Sequence, residues 1–241
     1  MRGAIRDRVN PERKERKMAE KEARSQEDIR KDVYSQLVWD GRVNESDIDV
    51  DVLDGKVILK GVVPTYSDLL EAEEDAYSVS GVRHVDNRLR VSPAAVYPVP
   101  GDNDIASKLR SLLEWNQDLD AERIDIAVDN GLVTLMGTVD TIWQKYHAEH
   151  IAENVPGVVG VSNRLTVQPV RRFSDEDIRL NILSSIDRNA SIDLSMVNIY
   201  VKNGVVTLSG TVADYQAYRT AEEIARYTNG VVDVNNNLVI A

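Results

Sequence analysis

The chain has 241 residues, 42% of them hydrophobic and 29% charged, with 40 acidic against 29 basic side chains for a net charge of −11. That balance excludes a chain too polar to bury a core, and the absence of cysteine removes disulfides, thiolate metal sites and thiol nucleophiles together. Residues 1–24 carry nine Lys/Arg against five Asp/Glu, leaving −15 on the remainder; so acidic a body repels phosphate backbones, and no nucleic-acid partner is expected.

Residues 1–24 are rich in helix formers but show no apolar stripe, and they read as a charged tail. No apolar signal segment follows the first basic residues, and no run of 18 apolar residues occurs anywhere. As written, the sequence predicts a cytoplasmic protein, or a periplasmic one if a leader has been removed.

From residue 25 the pattern changes. Ser25 stands three before Asp28, a capping-box spacing with Asp in place of Glu, and Ile29, Val33 and Leu37 then recur every four residues, the stripe of an amphipathic helix. Alternation over Ile48-Asp49-Val50-Asp51-Val52 predicts a half-buried strand. Asp54-Gly55 supplies the positive φ angles of a type I′ turn, and a second alternating strand follows, so the pair is a hairpin. Ala72 and Ala76, small residues four apart, let a second helix lie close against the sheet, with Gly81 expected to end it as the C′ residue. Val85 to Val91 alternate as a third strand. The order is αββαβ, an α+β module with both helices on one face of a three-stranded mixed sheet.

The same order recurs twice without insertion or deletion. Asp54-Gly55-Lys56-Val57-Ile58-Leu59-Lys60-Gly61 returns as Asn130-Gly131-Leu132-Val133-Thr134-Leu135-Met136-Gly137 and as Asn203-Gly204-Val205-Val206-Thr207-Leu208-Ser209-Gly210, at offsets of 76 and then 73. The same offsets carry Gly81 to Gly157 and Gly230, and Asn87 to Asn163 and Asn236. The modules are therefore residues 25–92, 101–168 and 174–241, each of 68 residues, and Ser174 repeats the cap of Ser25. Residues 93–100 and 169–173 are linkers that open with proline, predicting short, extended connections and closely spaced neighbours. A 68-residue unit buries a modest core, so contacts between copies are expected to support folding.

Several recurring residues are candidates for function. Gly61, Gly137 and Gly210 sit inside a strand, where glycine marks a bulge or a close backbone approach, and no helix N-terminus of a phosphate loop follows them. Asn87, Asn163 and Asn236 fall on the apolar face of the third strand, where an amide must find partners; a clamp to a nearby turn or strand end is expected. Trp39 and Trp115 share one register at the end of the first helix, where copy three has Arg188. Such a tryptophan either anchors at a lipid or partner surface or caps its own module's core. His147 and His150 lie a helical turn apart beside Glu149 and Glu153, but neither histidine recurs and no third ligand is evident, so no metal site is expected. With no nucleophile elbow and no recurring histidine, neither catalytic residue nor cofactor is expected.

The DG-x-V-x-L-x-G-x-V hairpin, the A-E-x-x-A helix and the closing G-V-x-x-V-x-N-x-L strand together resemble the BON domain, and all three copies carry these elements. The resemblance implies a non-enzymatic bacterial protein of the cell envelope, associated with osmotic or envelope stress and with phospholipid binding. Its partner would be a phospholipid or membrane surface; the alternative is a cytoplasmic scaffold or stress adaptor that binds proteins or self-associates through helix faces and open sheet edges.

Overall fold

The computed structural model describes residues 24–41, 47–92, 99–171, 173–188 and 192–241. The charged tail before Arg24 and most of the first linker, residues 93–98, lie outside the described residues. Module 1 consists of α1 (Gln26–Trp39), β1 (Ile48–Leu53), β2 (Lys56–Val63), α2 (Tyr66–Ser78) and β3 (His84–Val91). Module 2 repeats this as α3 (Asp102–Trp115), β4 (Ile124–Asp129), β5 (Leu132–Val139), α4 (Ile142–Glu153) and β6 (Gly160–Val167), with a 3₁₀ turn, Ala121–Arg123, ahead of β4. Module 3 consists of α5 (Asp175–Asp187), β7 (Val197–Lys202), β8 (Val205–Val212), α6 (Tyr215–Arg226) and β9 (Asp233–Ile240).

Each module holds one three-stranded mixed sheet. The first two strands pair antiparallel and the third joins the middle one in parallel, in the order β1-β2-β3, β4-β5-β6 and β7-β8-β9. The hairpin tips adopt the geometry that their composition demands: Asp54 and Gly55 have φ of 50° and 77°, Asn130 and Gly131 50° and 77°, Asn203 and Gly204 52° and 76°. The helix stripes point inward, with Val33 and Leu37, Leu109 and Leu113, and Ile182 and Ile186 fully buried against Val57 and Leu59 or their counterparts. Each such side chain contributes on the order of 2 kcal/mol of burial. Ala72, Ala76, Ala148, Ala152, Ala221 and Ala225 are all fully buried, so the second helix rests directly on the sheet through methyl groups.

Helix entry is fixed by side chains. Ser25 Oγ accepts from the Asp28 amide at 3.0 Å and donates to its carboxylate at 2.6 Å, and Ser174 repeats both bonds with Asp177. Module 2 has Gly101 there and keeps only the reverse bond, its amide donating to the Asp104 carboxylate at 3.1 Å. A further tie emerges in the fold: the Asp102 carboxylate accepts both turn amides of Asn130 and Gly131 at 2.9 Å, and Asp175 does the same for Asn203 and Gly204. The hairpin tip is thereby bound to the first turn of the first helix.

Two sequence expectations are revised. Gly81, Gly157 and Gly230 are not C′ residues, because the helices end earlier, at Ser78, Glu153 and Arg226. Each glycine instead takes the third position of a separate turn, closed by Val82 N–H on Val79 O, Val158 on Val155, and Val231 on Thr228, with φ of 91° or 92°. The clamp of Asn87 and Asn163 reaches the second helix rather than a turn or strand end.

The modules contact one another in a cyclic pattern. The start of α2 meets the end of α4: Ser67 Oγ donates to Glu153 O at 3.2 Å, and Tyr66 packs on the apolar core of modules 2 and 3. The start of α4 meets the end of α6, with the Arg226 guanidinium 3.9 Å over the Tyr146 ring. The start of α6 meets the end of α2, with Tyr215 stacked on Tyr77 at 4.3 Å and Arg219 paired to Glu74 at 3.0 Å. Under the repeat offsets Tyr77, Glu153 and Arg226 are one position, so the three seams are equivalent and the third closes the ring. Modules 2 and 3 share one continuous apolar cluster, whereas module 1 keeps a cluster of its own.

Candidate binding surfaces

Trp39 and Trp115 each lie two residues beyond the last inward residue of their helix, Leu37 and Leu113. Two residues turn an α-helix by about 200°, so a side chain there points away from the core. Trp39 is 87% and Trp115 88% exposed, which rules out the reading in which either caps its own module. Tyr34 and Val38 are also exposed on the helix of Trp39, and Leu112 on that of Trp115. In module 3 the corresponding Arg188 folds back, donating to Ser184 and Ser185 hydroxyls at 2.8 and 3.0 Å.

The asparagines are internal. Asn87 Nδ2 donates to Leu69 O at 2.9 Å and to the Glu73 carboxylate at 3.1 Å, while its Oδ1 accepts from the Leu89 amide at 3.1 Å. Asn163 repeats all three bonds with Lys145 O, Glu149 and Leu165. The amide thus ties the third strand to the second helix, because the helix lies over that face of the sheet. Asn236 keeps only the bond from Leu238, and its Nδ2 is buried without a partner. The carboxylate that would have received it, Glu222, is held by Arg226 instead, a charge-assisted bond that outcompetes a neutral amide.

The in-strand glycines have φ of 131°, 116° and 119° at Gly61, Gly137 and Gly210. A Cβ there would overlap the carbonyl oxygen of Asp47, Arg123 or Met196, the residue that leads into the first strand. Their role is close backbone approach. His147 Nε2 lies 2.8 Å from Asn116 Nδ2 and its ring stacks on Trp143, while His150 faces Glu153 at 3.4 Å. Among the described residues no three ligating side chains converge as a metal site would require.

A second surface was not legible in the sequence. The three second helices surround a shallow depression of about 710 Å³, lined among others by Glu71, Tyr146, Glu149, Glu153, Tyr218 and Arg226. Burial pushes the Tyr146 and Tyr218 hydroxyls above their usual range. It also raises the Glu153 carboxyl, with the neighbouring Glu149 adding to the shift. The signal in the sequence was confined to a few positions of the second helix that vary between copies, such as Tyr77, Glu153 and Arg226, and it becomes informative once the modules are known to touch there.

The chain is an array of three small α+β units of one topology. It belongs to the BON domain family, whose model matches residues 25–93, 101–169 and 174–241. The chain is similar to osmotically-inducible protein Y of Escherichia coli (strain K12), at 28% identity over 188 residues, 76% of this chain and 92% of that protein. It is similar to outer membrane lipoprotein DolP of Haemophilus influenzae, at 30% identity over 138 residues, 55% of this chain and 71% of that protein. It is also similar to a 21 kDa hemolysin of Actinobacillus pleuropneumoniae, at 31% identity over 115 residues, 47% of this chain and 59% of that protein. Among the described residues no helix is long and apolar enough to cross a membrane.

Proposed function

We propose that this protein is a non-enzymatic, envelope-associated binding protein that docks on phospholipid surfaces through the Trp39 and Trp115 helix ends. The observation that carries this reading is the near-complete exposure of two tryptophans in one register of two modules. An indole has an apolar body and a single N–H donor, a combination favoured at the level of lipid head groups. The similarity to an outer membrane lipoprotein, an osmotically inducible protein and a hemolysin supports an envelope setting over a purely cytoplasmic one. Because the body is acidic, attachment is carried by indole insertion more than by long-range attraction.

Co-sedimentation of the full chain with phosphatidylethanolamine–phosphatidylglycerol vesicles, at two salt concentrations, tests this. Trp39→Ala and Trp115→Ala are each expected to weaken binding about tenfold, the scale of roughly 1.4 kcal/mol per buried indole edge, and the double variant to abolish it. Equal binding by the double variant and the native chain, or no binding by the native chain, would overturn the reading.

A further inference from the structure

The three seams use the same two patches, the first turns and the last turns of the second helix, yet they differ in chemistry. The seam between modules 2 and 3 lies within a continuous apolar core. Among the described residues module 1 shares Tyr66 with that core and otherwise touches its neighbours through the Ser67 hydroxyl, the half-buried Tyr77–Tyr215 stack and the Arg219–Glu74 pair, whose side chains are 37% and 58% exposed. It is joined to module 2 by the longer linker, residues 93–100, which contains three prolines. A head-to-tail contact that closes after three units leaves no patch unfilled, but nothing in its chemistry distinguishes a module of the same chain from the same module of another.

We propose that the cleft between modules 2 and 3 is an exchangeable docking surface, and that its second occupant is module 1 of another copy of this chain. The surface consists of Tyr215 and Arg219 on the start of α6, and Glu153 and Asn154 at the end of α4. The partner presents Tyr77 and Glu74 to the first pair and Ser67 to the second. These contacts already form within one chain, so the partner's fit is that of the existing interface. A short tether holds the chain's own module 1 at an effective concentration in the millimolar range, so the native chain closes on itself at ordinary concentrations. Exchange becomes dominant only when closure in cis is penalised and pairing in trans is not.

Charge reversal creates that condition. Glu74→Arg places two guanidinium groups at the seam, and Arg219→Glu places two carboxylates there, so each variant alone opposes its own closure. In an equimolar mixture both seams regain opposite charges when the chains exchange module 1. Analytical ultracentrifugation is expected to find each variant alone at the 27.0 kDa chain mass and the mixture at twice that mass. The Glu74→Arg/Arg219→Glu double variant, with the pair inverted within one chain, is expected to return to a compact monomer with native sedimentation and circular dichroism. A mixture that stays at single-chain mass while the double variant recovers compaction would overturn the exchange. Single variants that sediment as compactly as the native chain would overturn the role of the seam itself. Neither result depends on lipid binding, which is read separately in the vesicle assay.

Discussion

Modules 1 and 2 hold their asparagine clamp complete, and module 3 does not, although the asparagine, the acidic residue and the strand register are the same in all three. The difference originates at one position of the second helix. Tyr77 stacks on a neighbouring tyrosine, Glu153 offers its backbone carbonyl to Ser67, and Arg226 spans Tyr146 of module 2 and its own Glu222. An arginine that makes an intermodule contact also holds the carboxylate that the internal amide uses in the other two modules. Residues that close the ring and residues that close the module compete for the same carboxylate, and in module 3 the ring prevails.

Substitutions at repeated positions sharpen this contrast. The largest effect is expected where the copies agree. Gly137→Ala combines a φ of 116° with a Cβ directed onto the Arg123 carbonyl, and a loss of about 3 kcal/mol in urea unfolding is expected. Gly210→Ala should match it, because the same approach is built there onto Met196.

The next effect is expected to split the copies. Asn87→Ala and Asn163→Ala each remove the three bonds of a clamp between strand and helix, at a cost of about 2 kcal/mol. Asn236→Ala removes only the bond to Leu238 and should cost about 1 kcal/mol. In an Arg226→Ala background Glu222 is released, and Asn236→Ala should then cost as much as the other two. Equal costs at all three asparagines in the native chain would contradict the competition for Glu222.

The smallest effect concerns Glu153, at the position where the copies diverge. Its carboxyl is raised from the ordinary 4.5 by burial and by Glu149, so the folded state binds this proton more tightly than the unfolded state. The associated stability is complete below pH 4.5, the unfolded value, and is lost as pH rises through the raised folded value. Glu153→Gln should therefore raise the melting temperature at pH 7 by roughly 1 °C, and the gain should vanish in acid. A gain that persists at pH 4 would show that the carboxylate's charge is not its origin.

What could be read in advance follows from the range of the forces involved. The helix stripe Ile29-Val33-Leu37, the alternating strands and the Asp-Gly or Asn-Gly tips are set by interactions within a few residues, and they recur at fixed offsets. The candidate site was legible only in outline. The register of Trp39 and Trp115 was plain, but whether an indole at a helix end faces inward or outward depends on how the helix seats on its sheet. The clamp's partners, the ties from Asp102 and Asp175 to the hairpin tips and the position of Gly81 in a separate turn all join segments distant in the chain, or depend on where a helix stops.

The sequence by itself determined three copies of one α+β module and the inward set of each, because periodicity and turn chemistry are local properties of the chain. Only the tertiary structure decided that the second helices meet head to tail and close a ring. Those seams are made by Tyr66, Tyr77, Tyr146, Tyr215 and Arg226, side chains that acquire partners only when the modules come together.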